Sequence, residues 1–229
     1  MRSNLKICGL IVCLLNIGTA SAWMPVTDAY SKFMPIKELK ERAAGGDEEA
    51  VLTVGIQKDS ELIPALRKLA ANCVLNDEQL MRRLHVKSLK EKNQQKYIHD
   101  HTEIAQREHR NSCFAAKAAL TRMKDHDYLN DFVVELSTTN LWWKEDVINY
   151  LGYIGDVRAI KYLGPLLSDD SGPDTRGLPG IPVADEAAAA MGDIIQPDSI
   201  VNLRRYPGNR YGNLKEWRMW WKENQQNYH

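Results

Sequence analysis

Asn149-Tyr150-Leu151-Gly152-Tyr153-Ile154-Gly155-Asp156-Val157-Arg158-Ala159-Ile160-Lys161-Tyr162-Leu163 reads as one helix, a Gly-Asp corner and a second helix. Asp156 is placed to cap the second helix, because its carboxylate can accept from the first unsatisfied backbone N–H groups. Ile160, Leu163 and Leu167 follow at spacings of three and four, which is one helical face. The same offsets recur when Gly152 is overlaid on Gly55: Asp59, Ile63 and Leu66 fall into register and Leu69 matches Leu166. Overlaid on Gly192, 40 residues further on, Ile200 and Leu203 take these places and Pro197 marks the corner. A weaker copy has Asp125 at the corner, followed by Leu129 and Phe132.

The helices before the corners carry apolar stripes of their own: Trp143, Val147, Leu151 and Ile154; Val183, Ala187, Met191 and Ile194; Cys113, Ala116, Leu120 and Met123. Short helical hairpins cannot bury such faces alone and stack on their neighbours. The pattern predicts an all-α chain, an α-α superhelix (solenoid) of about four helical hairpins. Leu151 to Ile160 resembles the corner of HEAT-like repeats, including phycobiliprotein-lyase HEAT-like and other armadillo-type repeats. Pro182 to Met191 resembles the opening helix of the next such unit. The likeness covers 143–205, with further stretches over 47–72 and 112–138. It implies an α-α superhelix and no lyase activity, since the repeat carries no catalytic residues of its own.

Residues 1–22 read as a cleaved signal peptide. Arg2 and Lys6 precede the apolar run Ile7 to Ile17, and Ala20-Ser21-Ala22 supplies a cleavage site before Trp23. Eleven mostly apolar residues fall short of the roughly 20 needed for a helical span. A lipoprotein reading fails on Ile7 and Val12, which stand where a small residue must precede the cysteine. Export to the periplasm or medium is therefore expected. The mature domain, 23–229, has 28 basic against 30 acidic residues, a net charge of −2 that offers no general attraction to nucleic acid or anionic membrane. Cys73 and Cys113 are the two cysteines beyond residue 22. They are either a disulfide, as an oxidising compartment favours, or two buried thiols.

Pro35 is expected to open a short capping helix that ends at Gly45-Gly46, and Asp47 to cap the next. Residues 75–111 break the repeat and read as an inserted polar arm, one long helix or two on either side of Asn93-Gln94-Gln95. Within it Arg82, Arg83, Lys87, Lys90, Lys92 and Lys96 outweigh Glu91 by five charges. This is a solvated face or a dock for an acidic partner. The loop Ser168 to Pro182 holds Asp169, Asp170 and Asp174 without the alternating ligands and closing Glu of a calcium loop. Residues 206–229 end in Trp217, Trp220 and Trp221 on one helical face, either a cap over the last unit or an aromatic platform.

For chemistry the strongest cluster is His99, His101, Glu108 and His109, weak candidates for a metal. His-Glu-x-x-His is absent, and its inverse is missed because Ala105 stands where a ligand would be. No nucleophile elbow, phosphate loop or dinucleotide fingerprint is present, so no cofactor is implied. The expectation is a non-enzymatic module that binds another protein, as adaptor, scaffold or inhibitor. Its surface candidates are Asp156, Arg158, Lys161, Asp169, Asp170, Asp174 and Arg176. The alternative is a metal-dependent or thiol hydrolase built on the histidines.

Overall fold

The computed structural model describes residues 34–76, 79–80, 91–175, 178–195 and 214–228, with the side chains of 91–100, 174–175 and 178–179 left aside. The signal segment, the basic side chains of 82–96, Ile200, Leu203 and Arg176 lie outside that description, as do the side chains of His99 and Asp174. The described chain is helical apart from a two-residue antiparallel ribbon, Asp174–Thr175 (β1) with Leu178–Pro179 (β2).

The helices are α1 (Ile36–Gly45), α2 (Glu48–Gln57), α3 (Ile63–Ala70), α4 (Glu91–Arg122), α5 (Leu129–Glu135), α6 (Leu141–Ile154), α7 (Ile160–Leu163), α8 (Val183–Ile195) and α9 (Leu214–Asn224). Their starts follow from local chemistry. Asp47 accepts from the Ala50 amide at 3.0 Å to open α2, and Asn140 accepts from the Trp143 amide at 3.2 Å to open α6. Asp59 and Asp156 accept from Glu61 and Arg158 amides at 3.1 and 2.9 Å, each leading through a 3₁₀ turn into α3 and α7.

The corners share one backbone device. Gly46, Lys58, Lys124 and Gly155 are left-handed, at φ of 86°, 55°, 60° and 71°, and each directly precedes an aspartate. At three of them the aspartate's amide closes back on the helix, from Asp47 to Arg42 O, Asp59 to Val54 O and Asp125 to Leu120 O. This satisfies carbonyls that a helix end leaves orphaned. At the fourth, Gly155 N donates to Leu151 O, and the Arg122 guanidinium donates to the Tyr153 carbonyl.

The first helices of successive hairpins pack in chain order, α2 on α4, α4 on α6 and α6 on α8. The glycines aligned in sequence lie at these crossings. A Cβ on Gly55 would stand 2.8 Å from Ala119 Cβ of α4, and one on Gly152 would stand 3.0 Å from Ala190 Cα of α8. Between the helices runs one core with Phe132, Trp143, Tyr150, Leu151 and Leu163 at its centre. Phe114 meets the rings of Phe132 and Trp143 edge-on at 5.4 and 4.9 Å, contacts worth about 0.5–1.5 kcal/mol each beyond area burial. Cys73 and Cys113 form a disulfide with Cα atoms 5.2 Å apart, joining the segment after α3 to α4.

Two features settle choices that the sequence leaves open. The polar triplet 93–95 is no junction: α4 runs unbroken for 32 residues, so the arm and the apolar stripe from Cys113 are one helix. No Gly or Pro lies between Glu91 and Arg122 to end it. At the C-terminus Trp217 is buried, while Trp220 and Trp221 pack part-buried on the core. The Trp221 ring fills the space a Cβ would need at Gly164, and Arg218 donates to Leu167 O at 2.7 Å.

Candidate functional site

The first turn of α2, the first two turns of α6 and the middle of α4 enclose a groove of about 1190 Å³. Asp47, Glu48 and Glu49 come from α2; Glu103, Gln106, Arg107, Glu108, Arg110, Asn111 and Ser112 from α4; Asn140, Trp142, Trp143 and Asp146 from α6. Cys73 and Val74 form the remaining edge. That edge is held in place twice. Gln106 accepts from the Leu75 amide at 3.1 Å and donates to the Leu75 carbonyl at 3.0 Å, and Cys73 is bonded to Cys113. Ser112 Oγ donates to Gly46 O at 2.5 Å, which fixes the entry to α2 against α4.

The groove holds six carboxylates against two guanidinium groups. Glu48 accepts from the Tyr150 hydroxyl and, at 3.4 Å, from Asn111 Nδ2. Burial nevertheless raises its pKa above the ordinary carboxylate value, since the desolvation outweighs the two hydrogen bonds. Asp146 is pushed up to about 7, first by burial and then by the charges of Glu48 and Glu145, against weaker opposing fields from Arg110 and Arg107. Asp146 makes no hydrogen bond or ion pair among the described residues. Arg110 is turned instead to the Trp143 ring, 4.0 Å from its centroid. Trp143 Nε1 donates to Glu135 at 2.5 Å, whereas Trp142 points outward with half of its surface exposed (51%). Val74, at 67%, is the other exposed apolar side chain on the rim.

The described surface candidates, Asp156, Arg158, Lys161, Asp169 and Asp170, do not line the groove. Asp156 caps its own turn and pairs with Arg158 at 2.6 Å, and Arg158 reaches on to Asp127 at 2.8 Å. Asp169 pairs with Lys144 at 3.6 Å and Asp170 with Arg218 at 2.5 Å, so both help to seat neighbouring elements. Lys161 is exposed beside the Tyr162 ring. Of the histidine cluster, Glu108 lines the groove while His101 and His109 are part-buried on α4. No three His, Cys, Asp or Glu side chains converge on a metal position among the described residues. No helix among them is long and apolar enough to cross a membrane.

Glu48, Asp146 and Trp142 escaped the sequence reading. Glu48 reads alone as a first-turn acid that favours a helix N-terminus, and Asp146 as one more polar residue within α6. One signal was available: Trp142 and Trp143 are adjacent, and neighbours on a helix cannot both face the same side. Compared with protein-family models, with curated proteins and with solved structures, the chain matches none.

Proposed function

We propose that this chain is an exported helical-repeat module of HEAT-like architecture that binds another protein, with the groove between α2, α4 and α6 as its contact site. The packing of successive first helices in chain order, with a glycine at the α2–α4 and α6–α8 crossings, supports the repeat reading. The groove is the observation that carries the function. It is large, lined from three helices and held by a disulfide and a side-chain clamp, which suits a preformed recognition surface. The paired cysteines have no thiolate to offer while bonded, so a thiol hydrolase draws no support from them.

A photo-cross-linking residue at Trp142, used in the native exported compartment, tests this. Cross-linking of one protein from position 142, and not from exposed positions Ile36 or Met219, is expected. Equal yields from all three positions, or none from 142, would remove the groove as the contact site. Export itself is tested by the mature N-terminus, expected at Trp23.

A further inference from the structure

We infer that the groove takes an extended segment of a partner polypeptide through a lysine or arginine side chain, whose cation pairs with Asp146 and Glu48 while its stem lies on Trp142. This deepens the proposed function and rests on the groove being the binding site.

Charge selects the sign of the ligand. Six lining carboxylates, of which Asp47 pairs with Arg42 at 3.6 Å, still outnumber the guanidinium groups, and this acidic excess disfavours phosphates and acidic peptides and favours cations. The missing partner is local as well as general. Asp146 lines the groove, is part-buried, and receives no donor among the described residues. Arg110, the nearest candidate by its field, is stacked on Trp143. Glu48 uses one oxygen for Tyr150 and the other, at 3.4 Å, for Asn111, which leaves lone pairs on a group that can accept about four hydrogen bonds. An entering ammonium or guanidinium supplies the donor that Asp146 lacks and fills the remaining lone pairs of Glu48.

Shape selects a polypeptide over a free amine. Small-molecule sites usually enclose about 300–1,000 Å³, and this groove of about 1190 Å³ exceeds that range. Its rim also presents two exposed apolar side chains, Val74 from the segment after α3 and Trp142 from α6. A single amine would leave these unused. A segment with apolar residues flanking the cation covers them, and Trp142 adds a ring face for the stem or the charge.

The test uses the mature oxidised chain and three fluorescent Gly/Ser-flanked peptides with the centre Leu-Lys-Leu-Lys-Leu, or the same with each Lys replaced by glutamate or by norleucine, read by anisotropy. The lysine peptide is expected to bind at least 10-fold tighter than either twin. Asp146→Asn and Glu48→Gln should each cost at least 5-fold, and Trp142→Ala should weaken it further. Glu41→Gln and Glu61→Gln, exposed positions away from the groove, should leave binding unchanged. Circular dichroism melts check that each variant folds, and Asp146→Asn keeps the shape of the side chain if Glu48→Gln does not fold. Equal affinity for the three peptides, or equal sensitivity to Glu61→Gln and Asp146→Asn, overturns the inference. So does putrescine binding as tightly as the lysine peptide, which would make the site one for a free amine. If no peptide binds while position 142 still cross-links one protein, the cationic inference falls and the binding module stands. If both experiments are silent, both fall.

Discussion

Gly55→Ala offers a quantitative test of how closely the first helices cross. In a helix interior the change gains about 1 kcal/mol of backbone propensity. Here the new methyl would stand 2.8 and 2.9 Å from Cβ and Cα of Ala119, backbone-anchored atoms that cannot turn aside. It would also overlap the Tyr153 hydroxyl, which donates to the Leu52 carbonyl at 2.7 Å in the buried core. Overpacking of this kind costs about 1–3 kcal/mol and displacing a buried hydrogen bond about 1–3 more. The net expectation is a loss of about 2–4 kcal/mol, or about 5–12 °C in Tm for a domain of this size. Gly45→Ala is the internal control, because a Cβ there meets nothing within 4 Å. It should be neutral or stabilise by up to about 1 kcal/mol. Urea and thermal unfolding of the mature oxidised protein, followed by circular dichroism, measure both. Adding Tyr153→Phe should recover part of the Gly55→Ala loss, as expected for two residues in contact. If Gly55→Ala matched Gly45→Ala, the close crossing of α2 and α4 would be wrong.

The left-handed corners predict that Lys58→Gly and Lys124→Gly each stabilise by about 0.5–1 kcal/mol in the same assay, while Gly155→Ala destabilises by about 1. Replacing Cys73 and Cys113 together by alanine should lower unfolding stability by about 3–4 kcal/mol for a loop of this length, and the wild type under reductant should show a comparable drop. Burial raises the pKa of Asp146, Glu48 and Glu145, so the folded chain binds more protons than the unfolded chain above the ordinary carboxylate range. Stability should therefore fall as pH rises from about 4 through 7, and Asp146→Asn should remove about 1–2 kcal/mol of that fall, measured from urea midpoints at pH 5 and 8. Asp59, Asp127 and Asp156 shift the other way, held low by hydrogen bonds from Lys40 and Arg158, so stability is lost again as pH drops below about 4.

The corners were legible because an aspartate cap and an apolar stripe at three and four spacing are local signals, written within about ten residues. Asp156 with Ile160, Leu163 and Leu167 needed no tertiary information, and the three apolar residues are buried as their spacing requires. Left-handed lysines at 58 and 124 were not legible, since lysine has no preference for that region and only alignment on the following aspartate reveals the place. The continuity of α4 was left open because a run of amides looks like a break, although polar residues that lack Gly and Pro do not end a helix. The groove was invisible for a different reason. Glu48 and Asp146 belong to separate helices nearly a hundred residues apart, and their chemistry arises from shared burial rather than from spacing.

The Cys73–Cys113 bond also decides how the molecule comes apart. Helices packed in chain order open from their ends, each unit leaving its neighbour in turn. Here a covalent link joins the segment after α3 to the middle of α4, and Gln106 fastens the same segment a second time. The N-terminal hairpin therefore cannot peel away from α4 as an independent foldon, whereas α9 is held by non-covalent contacts, its tryptophans and Arg218 among them. Amide exchange should spread from α9 inward. The edge of the groove formed by Cys73 and Val74 then belongs to the last part of the chain to open, so the recognition surface keeps its shape while the far end breathes.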